Sequence, residues 1–278
     1  MGSMMNFIHK LTGKNAPGKQ CISVSVATNV GSIREVNEDN FYADRIGVRR
    51  LESSAENRLF KHSDRYVFAV CDGMGGEAFG DTASEIAVSA LSEYAVRLKK
   101  TEPEGLPELV NEYASEANNR ICKMVDDRKA SLSGSTLAMV CTVGKLAYIF
   151  NIGDSRVYYY CGGKLTQVTE DQTLAVKKLK ANIYTEEEAK LSEDAHKLTS
   201  FLGVDSRGIG LKALRYEPVD LEKGLVLICS DGLTDMCGDE EIAELLSMND
   251  ECSAGLLADR ACRNGGHDNV TCIVIKAL

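Results

Sequence analysis

The chain has 278 residues, 44% of them hydrophobic and 26% charged, and a formal net charge of −9 at pH 7. That length fits one large domain or two small ones and is enough to bury a full core. The acidic balance argues against a nucleic-acid partner, which requires a basic face. No apolar stretch approaches the roughly 20 residues that cross a bilayer, so no membrane partner is expected.

Residues 1–20 are polar and rich in Gly, Lys and Asn, and read as a flexible N-terminal segment. Met1-Gly2-Ser3-Met4 resembles a cloning remnant, and no signal-peptide core follows it. Cys21 to Asn29 alternates apolar and polar residues, a strand signature. Phe41 to Asp44 and Arg65 to Cys71 read as further strands, separated by a charged loop from about Leu51 to Asp64. Over 80–99, Ala83, Ile86, Ala87, Ala90, Leu91, Tyr94 and Leu98 share one helical face, and Asp81 sits in the first turn. A second long helix, Leu106 to Val125, carries Pro107 near its start.

Three strands then follow closely: Thr136–Thr142, Leu146–Ile152 and Ser155–Cys161. Tight turns at Val143-Gly144-Lys145, Gly153-Asp154 and Gly162-Gly163 separate or end them. Residues 170–198 are helical and highly charged, with a capping box opening at Thr185. Too few large apolar residues occur there for a core helix pair, so the stretch reads as a surface excursion. A strand–helix–helix–strand block from Leu225 to Lys276 closes the chain, with helices at about 239–248 and 251–263. Runs of strands alternating with paired helices suggest sheets packed together with helices outside, not a doubly wound βαβ sheet.

The ten cysteines are scattered, mostly within apolar runs, and none forms a Cys-x-x-Cys pair. They read as reduced thiols filling core space in a cytoplasmic protein. The four histidines, His9, His62, His196 and His267, make no His-Glu-x-x-His pattern, so a zinc site is not expected.

Acidic clusters are the informative feature. Asn37-Glu38-Asp39-Asn40, Asp72-Gly73-Met74-Gly75-Gly76, Ser230-Asp231-Gly232 and Asp268-Asn269 all stand at the mouths of expected strands. Carboxylates gathered from distant strands repel one another unless a cation neutralises them. All-oxygen donors suit hard cations, Mg²⁺ or Mn²⁺. Two such ions about 4 Å apart can lower the pKa of a shared water toward neutrality for in-line attack on phosphorus. Arg34, four residues before Glu38, offers a planar fork that matches phosphate oxygens.

Seven motifs in order carry a family resemblance. Gly31-Ser32-Ile33-Arg34-Glu35-Val36-Asn37-Glu38-Asp39-Asn40 resembles the opening motif of the metal-dependent, type 2C serine/threonine protein phosphatases. Asp72-Gly73-Met74-Gly75-Gly76 with Gly80-Asp81-x-Ala83-Ser84 resembles the second. Gly134-Ser135-Thr136, Asn151-x-Gly153-Asp154-Ser155-Arg156, Thr169-x-Asp171, Ser230-Asp231-Gly232-Leu233 and Gly266-x-Asp268-Asn269-Val270-Thr271 follow. The match runs from about residue 25 to 275 and looks like a bacterial member.

The resemblance implies an α+β, four-layer α-β-β-α sandwich, two antiparallel sheets face to face with helix pairs outside. It implies one phosphatase domain over 21–278 with a flap insert at about 172–198. Two Mn²⁺ or Mg²⁺ ions would be held by Glu38, Asp72 (bridging both), the Gly73 carbonyl, Asp231 and Asp268. Asp39 would orient water and Arg34 would hold phosphate; no organic cofactor is implied. Substrates would be phosphorylated proteins made by a serine/threonine kinase, and the enzyme would be a monomer.

Some positions depart from the family pattern. Met74 stands where many relatives carry a proton-donating histidine, and His62 lies in the charged loop. Ser131, Leu132 and Ser133 stand where an acid holds a third metal, with Asp126 and Asp127 too far back, leaving that ion in doubt. Gln172 follows Asp171 where histidine is common. Asp154 and Asp171 read as turn-holding residues. The excursion at 172–198 is read equally as a solubilising surface and as a substrate-docking element. Two alternatives remain: a catalytically weak or inactive regulatory module that binds phosphoproteins, and a two-metal hydrolase of small phosphate esters.

Overall fold

The computed structural model describes residues 21–44, 47–49, 53–60, 63, 65–75, 79–130, 132–204, 211–248 and 250–278. The expected flexible segment 1–20, His62 and Ser131 lie outside the described residues. One antiparallel sheet comprises β1 (Ile22–Asn29), β4 (Ser53–Phe60), β10 (Arg156–Cys161), β11 (Lys164–Gln167), β14 (Gly224–Cys229) and β15 (Val270–Ala277). Its strands run in the order β11-β10-β14-β15-β1-β4. The other comprises β2 (Asn40–Ala43), β3 (Gly47–Arg49), β5 (Arg65–Cys71), β8 (Leu137–Val143), β9 (Leu146–Ile152), β12 (Leu214–Arg215) and β13 (Val219–Asp220). Here the order is β12-β9-β8-β5-β2-β3, with β13 also on β9. A short ribbon pairs β6 (Gly73–Met74) with β7 (Gly134–Ser135).

Because successive strand residues point to opposite faces, each sheet can bury both. In β5, Tyr66, Phe68 and Val70 enter the layer between the sheets, with Val24, Val26, Val226, Ile228 and Ile273. The intervening Val67, Ala69 and Cys71 pack outward on α1 (Gly80–Lys100) and α2 (Leu106–Arg128), through Ala87, Leu91, Tyr113 and Ile121. In β14 the same alternation sends Leu225, Leu227 and Cys229 outward. They meet Leu245 and Leu246 of α6 (Asp239–Ser247) and Leu257 and Ala261 of α7 (Ser253–Arg263). Each fully buried large side chain contributes roughly 1.5–3 kcal/mol. The result is helices, sheet, sheet, helices: the expected four layers.

The expected loop at 51–64 is corrected over 53–60, where the chain forms β4 along the whole length of β1, from Ile22↔Phe60 to Asn29↔Ser53. Ser53–Phe60 is mostly exposed on both faces, so no apolar alternation marks it. What makes it a strand is the free edge of β1, whose backbone groups need partners. Phe60 alone dives inward, its ring 5.1 Å from Tyr66. β11 was also not anticipated. It returns along β10 through the Gly162-Gly163 turn, where both glycines have positive φ, a two-residue hairpin geometry.

The flap holds α3 (Leu174–Lys180), α4 (Glu186–Leu191) and a 3₁₀ turn, Glu193–His196. The capping box forms: Thr185 Oγ1 accepts from the Glu188 amide, and Glu188 accepts from the Thr185 amide. As a surface excursion it buries little apolar area, Ala175 and Ala189 among it. An ion cluster does the fastening. Buried Asp194 bonds Lys178, Lys197 at 2.9 Å and the Tyr184 hydroxyl at 3.0 Å. Antiparallel bridges Thr173↔Leu198 and Ser135↔Leu202 return the chain to β7.

All ten cysteines are free thiols. Burial pushes Cys229 up to about 12 and Cys71 and Cys141 higher still, which leaves these thiols inert. None of the helices among the described residues is long and apolar enough to cross a membrane.

Candidate active site

The C-terminal ends of β1, β5 and β14 and the N-terminal ends of β2 and β15 meet at one end of the molecule, since their neighbours run antiparallel. All four acidic clusters therefore arrive together. Residues 30–39 cross this end as a loop fastened by Asn269. Its Oδ1 accepts from the Glu38 amide at 2.7 Å, and its Nδ2 donates to the carbonyls of Val30 and Val36 at 2.9 and 3.0 Å. Gly31, at φ +81°, lets the loop approach so closely that a Cβ would sit 2.3 Å from the Asp268 carbonyl oxygen.

Glu38 is brought to Gly73 across α1. A Cβ on Gly80 would lie 2.6 Å from Glu38 Oε1 and 2.9 Å from the Gly73 carbonyl oxygen. Both oxygens thus face the same small gap, kept open by the absence of a side chain. Ser84 Oγ, one turn on, donates to the Glu38 carbonyl at 2.6 Å.

The other acids are crowded, Asp39 buried and Asp72, Asp231 and Asp268 partly so. Asp39 is 2% exposed; its Oδ2 accepts from Ser230 Oγ at 2.6 Å, while its Oδ1 has no hydrogen-bond partner. Burial pushes its carboxyl up to about 7, helped by Asp231 and Asp268 and opposed by the Ser230 and Thr271 hydroxyls. Burial together with Asp39, Asp231 and Asp154 holds Asp72 well above the usual carboxylate range. Asp231 rises to about 6, through burial and the charges of Asp235 and Asp268, and bonds Asp72. Its Oδ1 is also buried without a partner. The Thr136 hydroxyl accepts from the Asp72 amide at 2.9 Å, and the Thr136 amide donates back to the Asp72 carbonyl at 2.8 Å, fixing that strand end.

Arg34 is half exposed and its Nη2 donates to Asp268 Oδ2 at 2.7 Å. Burial works against its charge, yet Asp268, Glu38 and Asp72 together hold its pKa above the ordinary value. An exposed pair of this kind is worth at most about 1 kcal/mol, so the guanidinium can be exchanged onto a stronger anion.

Further residues frame this cluster. Arg156 grips Asp171 through Nε and Nη2, the latter at 2.6 Å, and Gln167 adds a bond at 2.8 Å. Asp171 therefore acts as a turn anchor, as its sequence context suggested. Asp154 differs: burial with Asp231 and Asp171 nearby drives its carboxyl well up, so it belongs electrostatically to the cluster. Gln172 links the end of β9 to the flap, donating to the Asn151 carbonyl at 3.2 Å and accepting from the Thr199 amide at 2.7 Å. Ser133 is buried, its Oγ donating to the Phe79 carbonyl at 2.9 Å. Asp127 pairs with Lys123 along the surface of α2.

Sequence reasoning named the acids but not their holders, Asn269, Ser230, Thr136 and Gly80. Asn269 and Ser230 adjoin acids in the motifs, and that adjacency was the available signal.

Several features fit a hard cation. Two buried carboxylate oxygens lack partners, a glycine gap exposes a carboxylate and a carbonyl together, and mutual repulsion keeps protons on acids that a cation would displace. Every expected donor is oxygen, the set that suits Mg²⁺ or Mn²⁺.

The family model described as protein phosphatase 2C matches residues 55–259. The chain belongs to this family. Serine/threonine protein phosphatase PstP of Mycobacterium tuberculosis is 32% identical over 259 residues, covering 89% of this chain. The chain spans only 43% of that relative's length. Serine/threonine phosphatase stp of Listeria welshimeri is 28% identical over 255 residues, covering 90% of this chain and 93% of the relative. The catalytic domain of PstP, solved in complex with two manganese ions, superposes with a TM-score of 0.72 at 29% identity. That superposition covers 93% of this chain and 99% of the solved one.

Proposed function

We propose that this protein phosphatase 2C family member hydrolyses phosphoserine and phosphothreonine in phosphorylated proteins, opposing a serine/threonine kinase. The observation that carries the reading is the convergence of Glu38, the Gly73 carbonyl, Asp72, Asp231 and Asp268 beside Arg34, with buried oxygens left unpartnered. Family membership and the manganese-containing PstP domain support it. Glu38, Asp72, Gly73, Asp231 and Asp268 would hold two Mn²⁺ or Mg²⁺ ions. Bound there, such ions supply Lewis-acid charge and a water of lowered pKa.

The chain's own groups account for the rest. Ser230 pins Asp39 Oδ2, which leaves its unpartnered Oδ1 to orient a water aimed at phosphorus. Arg34, released from Asp268, offers two donors to phosphoryl oxygens, where charge grows as the leaving bond breaks. Met74 has no proton to give, so the leaving alkoxide takes its proton from solvent or another group. The enzyme is read as a monomer. Residues 21–278 are read as one domain with the flap at 172–198 lying beside the site through Gln172 and the Ser135↔Leu202 bridge.

The test is phosphate release from a phosphothreonine peptide with EDTA, Mg²⁺ or Mn²⁺, using wild type, Asp231→Asn and Arg34→Ala. The expected result is metal-dependent release, abolished by Asp231→Asn and reduced about 100- to 1,000-fold by Arg34→Ala. A folded wild-type protein inactive with every metal would move belief to the regulatory binding module.

A further inference from the structure

We infer that Ile33 and Val36, on either side of Arg34 in the chain, form an apolar ledge that selects phosphopeptides with an apolar side chain within three residues of the phosphorylated one. The inference rests on the phosphatase reading and adds a substrate class to it. Ile33 is 67% exposed and Val36 49%. Neither belongs to any of the three apolar cores, so neither is needed to hold the fold. Arg34, between them, is the group that would hold phosphate, and its Nη2 reaches Asp268 Oδ2 at 2.7 Å. Their loop crosses the end of the molecule where Asp231 opens α5 (Asp231–Thr234).

The two side chains stand on an anchored backbone. Before them, the Gly31 amide donates to Asn29 Oδ1 at 2.9 Å and the Ser32 amide to the Gly266 carbonyl at 2.7 Å. After them, the Val36 carbonyl accepts from Asn269 Nδ2 at 3.0 Å, and the Glu38 amide donates to Asn269 Oδ1 at 2.7 Å. Residues 33–35 are thus held between two fixed points. Ile and Val are β-branched and stiff at χ1, so covering them costs little rotamer entropy. A lone exposed apolar residue is ordinary on any surface. Two of them on a doubly anchored loop, flanking the guanidinium that meets the phosphate, leave apolar surface where a bound peptide has to lie. The reach agrees, because neighbouring Cα atoms are about 3.8 Å apart in loop and substrate alike. Residues one to three places from the phosphorylated one step away from it by the same lengths as Ile33 and Val36 step away from Arg34. Covering each ledge residue removes enough apolar area from water for about a 3- to 10-fold gain in affinity.

The experiment measures kcat and KM of the full chain with Mn²⁺ on two phosphothreonine peptides, one with leucine and one with serine at the positions flanking phosphothreonine. A third substrate, p-nitrophenyl phosphate, has no flanks. Wild type is expected to favour the leucine peptide about 10- to 100-fold in kcat/KM, chiefly through KM. Ile33→Ser and Val36→Ser should each lower that preference about 3- to 10-fold, and the double variant should bring it near unity. Ile33→Leu should retain it, as should Val96→Ser, at an exposed valine of α1 remote in sequence from the loop. A wild-type preference below about twofold, or one unchanged in the double variant, would overturn the inference and leave the phosphatase reading standing, since both peptides are still hydrolysed. Turnover of p-nitrophenyl phosphate alone, or of none of the three, would sink the phosphoprotein reading and this inference with it.

Discussion

Without divalent cations, the stability of this fold should fall as pH rises from about 4 to about 7. Asp39 moves from an ordinary 3.8 to about 7 on folding, and Asp231 from 3.8 to about 6, both chiefly through burial. An acid with a raised folded pKa holds its proton more tightly in the native state than in the unfolded one. Its stabilisation is complete below the unfolded value and disappears as pH passes the folded value. A shift of about three units at Asp39 corresponds to about 4 kcal/mol. Asp231 adds less than its own two units suggest, because the two carboxyls already repel each other. Asp72 and Asp154 shift in the same direction. The loss is then about 4–6 kcal/mol, a large share of the 5–15 kcal/mol typical of a domain. Urea denaturation across that pH range in EDTA measures it directly. Excess Mn²⁺ or Mg²⁺ should flatten or reverse the slope, since ionised carboxylates are what a cation binds. Asp39→Asn should remove more than half of the metal-free slope. A metal-free stability that stays level or climbs through the window would refute the account of a crowded, proton-holding cluster.

Gly80→Ala normally strengthens a helix by about 1 kcal/mol, but here the new methyl would meet Glu38 Oε1 and the Gly73 carbonyl. We expect helical content to persist while Mn²⁺ affinity drops at least about tenfold by calorimetric titration; unchanged affinity would contradict the cradle. Asn269→Ala strands the Glu38 amide and the Val30 and Val36 carbonyls. It should cost about 2–4 kcal/mol in denaturant unfolding and raise KM by loosening the Arg34 loop, whereas a loss below about 0.5 kcal/mol would show the loop anchored elsewhere.

Much of the architecture was legible because it is written in local patterns. β5, β9 and the Gly162-Gly163 turn follow from alternation and from glycine's access to positive φ, both of which act within a few residues. β4 could not be read this way. Its residues carry no apolar face, and it is a strand only because β1 offers an open edge. The flap was legible as a surface element, but Asp194 reads as one more exposed acid until Lys178, Tyr184 and Lys197 close over it.

The site divides along the same line. Which residues are acidic, that each stands at a strand mouth, and that glycines adjoin them are properties of the chain by itself, together with the family they mark. That Glu38 faces Gly73 across Gly80, and that Asn269 and Gly266 fasten the Arg34 loop, were decided only when the two sheets closed. Proximity and desolvation depend on residues far apart in sequence, such as Val30 and Asn269, 239 positions apart. No local periodicity encodes such distances, so the protonation of Asp39 and Asp231 is a property of the packed structure and not of the sequence around either residue.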